Sequence, residues 1–247
     1  MKVDLHLKNK KALVFGSSMG IGKAIAQSLL NEGASVCISS RSEENIQKCA
    51  KEIGTEYTLT CDLTKEGEAV KAIAKAKELM GGLDILVLNT GGPQKNNFMD
   101  VSTEQWKTDY QSLWISSVEA MKEAIPSMKE QNFGRILMVT SVAAKEPMAG
   151  LTTSNGLRAG LACLSRSICH EVAPFGITIN LLLPGFTDTE RLQNLNLSDE
   201  TVKQLVPAGR LGKPEELGNL AAFLASDLAG YINGQSIAVD GGYLKGH

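Results

Sequence analysis

The chain has little of what metal, disulfide or membrane chemistry requires. Its three histidines, His6, His170 and His247, are scattered, and none stands at metal-ligand spacing, so no metal is expected. The five cysteines (Cys37, Cys49, Cys61, Cys163, Cys169) form no C-x-x-C pair, and most lie in apolar strand-like or helical context, which reads as buried, reduced thiol. Long hydrophobic runs are missing. Segments such as Ile85–Leu88 and Ile136–Val139 fall far short of the roughly 20 residues that cross a bilayer. An excess of one charge is also missing: the net charge is -2 with no basic face, which excludes a nucleic-acid partner. The opening MKVDLHLKNKK lacks the apolar core of a signal peptide, so a cytoplasmic location is expected. There is no internal repeat, low-complexity segment or Pro/Ser-rich linker. The 247 residues, 43% of them hydrophobic, are therefore expected to form one domain, 1–247, with a substantial core.

What is present is organised around Lys11 to Leu30. Ala12 to Phe15 is a short apolar run of strand type, Gly16 to Gly22 is punctuated by glycine, and Lys23 to Leu30 has helical spacing. A strand that turns through glycine into a helix gathers free backbone N–H groups and the positive end of the helix dipole at one point. Glycine also lets a phosphate approach the backbone, since no Cβ stands in its way. The spacing Gly16-x-x-x-Gly20-x-Gly22 at the first strand–helix junction reads as a phosphate cradle rather than an ordinary turn. Ser17, Ser18 and Ile21 belong to the same turn.

Strands and helices then alternate. Strands are read at Ala34–Ser39, Tyr57–Thr60, Leu83–Leu88, Arg135–Thr140, Thr178–Leu183 and Ser236–Val239, and helices at Glu43–Ile53, Lys65–Met80, within Thr103–Glu130, at Ser154–Val172 and at Glu215–Leu224. Strands apolar throughout belong to a parallel sheet covered on both faces. The expected fold is α/β: a Rossmann-type, doubly wound parallel sheet of about seven strands, with ligands at the carboxyl ends of the strands. The second strand ends in Ser39-Ser40-Arg41-Ser42. A carboxylate there would favour NAD, whereas Arg41 with Ser40 matches a 2′-phosphate, so NADP(H) is preferred and NAD(H) stays open.

Several motifs together resemble the short-chain dehydrogenase/reductase family, over nearly the whole chain. They are the glycine turn GSSMGIG, CDLT at Cys61–Thr64, NTGG at Asn89–Gly92, VTSVAA around Ser141, PGFTDT at Pro184–Thr189, RLGKPEEL at Arg210–Leu217 and INGQSIAVDGG at Ile232–Gly242. The last two are similar to the closing segments of bacterial 3-oxoacyl-(acyl carrier protein) reductases and glucose dehydrogenases. The resemblance implies that Asp62 and Leu63 lie near the adenine. It implies that Asn89 and Gly91 follow the fourth strand beside the cofactor, and that Pro184, Gly185, Thr187 and Thr189 flank the nicotinamide. It also implies a homotetramer with a small-molecule carbonyl or alcohol substrate. Ser154–Val172 and the last strand would then lie at subunit contacts, where Gly156, Ala159, Gly160 and Ala162 allow close approach.

The family uses a Ser, then a Tyr-x-x-x-Lys about thirteen residues on, and an Asn one helix earlier. A lysine one turn away lowers the phenol from about 10 towards working pH. Here Ser141 is kept, but Ser154 and Arg158 stand where Tyr and Lys are expected, and Leu113 where Asn is, with Ser112 as its nearest polar neighbour. None of Tyr57, Tyr110, Tyr231 and Tyr243 repairs the set: none has a lysine four residues on, and all are read as outside the relevant strand ends. Two functional readings follow. One is a hydride-transferring oxidoreductase in which Ser141 polarises a carbonyl and Ser154 or a water, steadied by Arg158, supplies the proton, while Arg158 forks onto the ribose hydroxyls of the cofactor. Lys145 is an alternative donor, read first as a solvated loop residue. The other is an NADP(H)-binding regulatory or scaffold protein without turnover. The polar segment 186–211 is read either as a substrate lid or as a surface helix pair.

Overall fold

The computed structural model describes residues 3–193 and 198–246. Its elements in order are β1 (Lys11–Val14), α1 (Gly20–Asn31), β2 (Ser35–Ser40), α2 (Glu43–Ile53), β3 (Tyr57–Thr60), α3 (Glu68–Met80), β4 (Ile85–Asn89), α4 (Thr103–Tyr110), α5 (Ser116–Glu130), β5 (Gly134–Val139), α6 (Thr152–Val172), β6 (Ile177–Pro184), α7 (Glu190–Gln193), α8 (Asp199–Leu205), α9 (Pro214–Ala225) and β7 (Ser236–Val239). All seven strands lie parallel in one sheet, in the order β3-β2-β1-β4-β5-β6-β7. Because β1 pairs with both β2 and β4, the winding reverses there, and such a reversal opens a crevice at the carboxyl edge.

Strand alternation divides the core. Leu13 and Phe15 of the first strand segment face one layer, together with Leu86, Ile136, Met138 and Leu181, against Ile73 and Ala76 of α3 and Met121 and Ala124 of α5. Ala12 and Val14 face the other, with Val36, Ile38, Ile85 and Val87, against Ile25 and Leu29 of α1 and Leu217 and Ala221 of α9. Each face is closed by helices, which accounts for strands that are apolar at every position. α9 crosses α1 closely because Gly218 has no side chain. A Cβ there would stand 2.7 Å from the Ala24 carbonyl oxygen and 2.5 Å from Ser28 Oγ.

The stretch expected to contain a helix between Thr103 and Glu130 is two helices joined through a π turn at Gln111–Ile115. That wider turn shifts the side-chain register by one position at the edge of the crevice. Of the segment 186–211, α7 and α8 are described, while residues 194–197 lie outside the described residues. Arg210 ends the segment and forks onto Glu216, at 2.7 and 2.9 Å. Glu216 also accepts the Lys213 N–H at 2.7 Å. The Arg210 hydrogen bond, followed by that backbone N–H, holds the Glu216 carboxyl down at about 2. All five cysteines are unpaired, with Cys37, Cys49 and Cys61 buried. No helix of the described residues is long and apolar enough to cross a membrane.

Candidate functional site

The first helix begins without a cap. Met19 precedes α1 with no side-chain hydrogen bond, whereas Ser42, Ser102 and Ser198 each cap the helix that follows them. The leading N–H groups of α1 are therefore left for an outside acceptor, at the positive end of the dipole. The turn is held in shape from below. Gly16 sits at φ +58 and Gly20 at φ +55, and Asn89 Nδ2 donates to the Gly16 carbonyl at 2.7 Å.

A cleft of about 390 Å3 opens from this turn. Its lining includes Gly16, Ser18, Ser40, Arg41, Asp62, Leu63, Asn89, Gly91 and Ser112. The turn, the ends of β2, β3 and β4 and the π turn thus come together, as a dinucleotide lying across the strand ends requires. Ser40 Oγ donates to the Ser42 carbonyl at 3.0 Å, and Arg41 is exposed at the rim. Asp62 stays below its usual range. Burial works against the charge, but the hydroxyl and N–H of Thr64 (2.8 and 3.1 Å) outweigh it, helped by Lys65 and Arg41. Among the described residues no three His, Cys, Asp or Glu side chains gather.

Four of the expected cofactor residues have their side chain, or the place of one, turned away from the cleft. Ser17 is fully buried: its Oγ donates to Val14 O at 2.7 Å, and its N–H goes to Ser39 O, so it braces β1 against β2. Gly22 turns under the cradle, where a Cβ would meet Gly16 O at 2.2 Å; it shapes the turn without lining the cleft. Ile21 packs on the core. Pro184 is buried as the last residue of β6. Within the π turn, Leu113, the residue at the family's Asn position, is fully buried, and its polar neighbour Ser112 lines the opening.

Beyond the cleft, β5 and β6 carry the remaining residues. Gly185 donates to Val239 O, and Thr187 Oγ1 donates to Gly185 O at 3.3 Å. Thr189 comes back over the glycine turn, its methyl 3.3 Å from where a Cβ on Gly20 would be. Ser141 Oγ accepts the Ala143 N–H at 3.1 Å. Ser154 Oγ accepts from Arg158 Nε at 3.1 Å, and Arg158 Nη1 donates to Val139 O at 3.1 Å. Arg158 is only 6% exposed and Ser154 5%. Burial, and then the nearby charge of Arg191, lower the Arg158 pKa to about 10, so the guanidinium remains charged at neutral pH. Lys145 is exposed, as a solvated loop residue would be. Tyr243, read as outside the strand ends, folds back edge-on to Phe186 with ring centroids 5.2 Å apart. Arg191, Gly92 and Pro93 carried no spacing signal, yet Arg191 Nη2 reaches Pro93 O at 2.9 Å.

A parallel sheet with a glycine turn at its switch point, opening on a strand-end cleft, is the framework of a dinucleotide-binding protein of Rossmann type. The enoyl-(acyl carrier protein) reductase family model matches residues 16–244. The 3-oxoacyl-(acyl-carrier-protein) reductase FabG of Vibrio cholerae is 36% identical over 240 residues, covering 96% of this chain and 98% of that protein. The NADPH-dependent reductase BacG of Bacillus subtilis is 32% identical over 257 residues, covering 97% and 99%. The solved structure of a 3-oxoacyl (acyl-carrier-protein) reductase from Agrobacterium tumefaciens with NADP bound superposes with a TM-score of 0.93 at 29% identity, covering 98% of each chain. This chain belongs to the short-chain dehydrogenase/reductase family. It is an oxidoreductase of that kind, and NADP(H) is the cofactor its relatives point to.

Proposed function

We propose that the chain uses NADP(H) to interconvert a carbonyl compound and its alcohol, with Ser141, Ser154 and Arg158 at the reacting oxygen. The cofactor, when bound, supplies the hydride. Gly16, Ser18 and Gly20 would hold its phosphates, Ser40 and Arg41 the 2′-phosphate, Asp62 and Leu63 the adenine side, and Asn89, Gly91, Gly185, Thr187 and Thr189 the nicotinamide side.

The observation that carries this reading is the direction of the hydrogen bonds. Ser141 and Ser154 each accept from a protein donor, so each hydroxyl proton is left to donate. Arg158 has donors only. The set is therefore built to hold a negative oxygen, and no group in it plays the part of the family's acidic phenol. Such preorganised donors in a dry site stabilise a developing oxyanion strongly. Ser154 then passes a proton in from water, replacing its own as it leaves.

The test follows NADPH absorbance with acetoacetyl thioesters, quinones and small ketones. Ser141→Ala is expected to lower kcat by roughly 10²-fold; turnover unchanged by it overturns the assignment. Cofactor binding without turnover of any of these compounds favours the regulatory or scaffold reading. Arg41→Ala is expected to weaken NADPH by about 10-fold or more and leave NADH nearly unchanged, as one charge-assisted hydrogen bond to a phosphate would imply. Equal loss for both cofactors would remove the 2′-phosphate role. A cytoplasmic homotetramer completes the proposal. It is supported by five unpaired thiols, which suit a reducing compartment, and by small residues along α6.

A further inference from the structure

Ser141 stands on the loop between β5 and α6, and a loop places a side chain well only where it is itself tied down. At its start, Ser141 to Glu146 form a hydrogen-bonded turn. Ala144 donates to Ser141 O at 3.0 Å, and Lys145 and Glu146 both donate to Val142 O, at 2.9 and 3.1 Å. Towards its end, Met148 is gripped by Asn155 of α6, the residue next to Ser154. Asn155 Oδ1 accepts the Met148 N–H at 3.3 Å, and Nδ2 donates to Met148 O at 2.9 Å. A further tie comes from the other end of the chain. Glu146 Oε1 accepts the backbone N–H groups of Lys245 and Gly246, at 2.7 and 2.6 Å. Among the described residues these are the only hydrogen bonds its carboxylate accepts.

The segment that supplies those N–H groups has a fixed shape. Asp240, directly after β7, holds it: Oδ1 accepts from the Gly242 N–H and Oδ2 from the Leu244 N–H, both at 2.9 Å. Gly241 at φ +64 and Gly242 at φ +87 make the bend. The turn after β6 rests directly on it, since a Cβ on Gly185 would stand 2.7 Å from Asp240 Cα. Tyr243 lies edge-on to Phe186, and Tyr243 and Leu244 pack on the same core layer as Met148. Ala208 donates to Gly241 O at 3.0 Å. Residues 240–246 therefore touch the turn after β6 and the far end of the segment 186–211. Their hydrogen bonds to the loop bearing Ser141 run through Glu146.

We infer that Glu146 is a positioning residue for Ser141: through its carboxylate, the segment after β7 fixes where the Ser141 hydroxyl stands. This rests on the oxidoreductase reading and adds to it a residue that acts through Ser141. Hydrogen bonds to a carboxylate suit the task, being short and about twice as strong as neutral ones. The stakes are large, because a misplacement of about 1 Å at a reacting group costs on the order of 10²-fold in rate.

The test is a double-mutant cycle in turnover, on the full chain, with NADPH and whichever of the acetoacetyl thioesters, quinones and small ketones the parent reduces fastest. Glu146→Ala is expected to lower kcat about 10-fold, with KM and NADP+ affinity within about twofold of the parent. Glu146→Gln keeps an oxygen that accepts both N–H groups and should bring kcat back to within about threefold of the parent. In the Ser141→Ala background, Glu146→Ala should cost less than about twofold, because the hydroxyl it positions is gone. The inference is overturned if Glu146→Ala leaves kcat unchanged, or if Glu146→Gln is as slow as Glu146→Ala. It is equally overturned if the losses from Glu146→Ala and Ser141→Ala multiply, or if cofactor affinity falls in step with kcat. A parent without turnover, or a Ser141→Ala variant as fast as the parent, is a separate outcome, which removes the oxidoreductase assignment and this inference with it.

Discussion

Gly22→Ala is expected to abolish measurable NADP(H) binding, a loss of at least 100-fold, and to lower stability by about 2–3 kcal/mol. The added methyl would stand 2.2 Å from the Gly16 carbonyl oxygen, 2.6 Å from Asn89 Nδ2 and 2.9 Å from the Gly16 carbonyl carbon. Backbone cannot swing aside as a side-chain tip can. The chain must open the turn, and opening it spreads the N–H groups meant to converge on a pyrophosphate. Asn89 loses its bond to Gly16 in the same step. The control is Gly156→Ala on α6, where a Cβ meets nothing within 4 Å. It should leave NADP+ affinity unchanged. Calorimetry with NADP+ and a thermal melt check both variants. Normal cofactor affinity in Gly22→Ala would mean that the phosphates dock elsewhere.

Arg158→Met should separate activity from stability. Removing one preorganised donor at a developing oxyanion typically costs 10²–10³ in kcat, and a loss of that size is expected here. Stability should move the other way. A buried cation with no carboxylate partner among the described residues is replaced by an apolar side chain, which removes a desolvation penalty of several kcal/mol. Against this stand the Val139 carbonyl and the Ser154 hydroxyl, each left without its Arg158 bond at a cost of about 1 kcal/mol. A Tm equal to or above that of the parent, with turnover down by two orders of magnitude, is the expected pair of results. A collapse in Tm would make Arg158 a structural brace. Arg158→Lys, which keeps the charge but loses the fork, should fall between the two.

Much of the fold could be read because local patterns and tertiary demands agree. Glu43–Ile53, Tyr57–Thr60 and Ser236–Val239 stand at the boundaries expected of them, and the uniformly apolar strands belong to a sheet covered on both faces. Where the expectation failed, it failed in identifiable ways. Serine 17 looks like any other polar residue of a glycine turn, and only the pairing of β1 with β2 shows that its hydroxyl points inward. The π turn at Gln111–Ile115, which buries Leu113 and leaves Ser112 at the opening, makes no mark in residue spacing. Arg191 stayed hidden for another reason. Its partner is the backbone of Pro93, distant in sequence, and a carbonyl acceptor carries no side-chain signature. Ser154 and Arg158 were visible because a fixed interval of four residues on one helix survives when the residue types change.

The cysteines give the molecule a gauge of its own assembly. Burial pushes the thiols of Cys37 and Cys61 up to about 12 and raises that of Cys49, so alkylating reagents find these three both hidden and unreactive. Cys163 stands exposed on α6, and Cys169, six residues on, is only partly covered. A single folded copy therefore offers Cys163 for labelling, whereas copies joined through α6 would cover it, and the labelling rate would fall as the protein is concentrated.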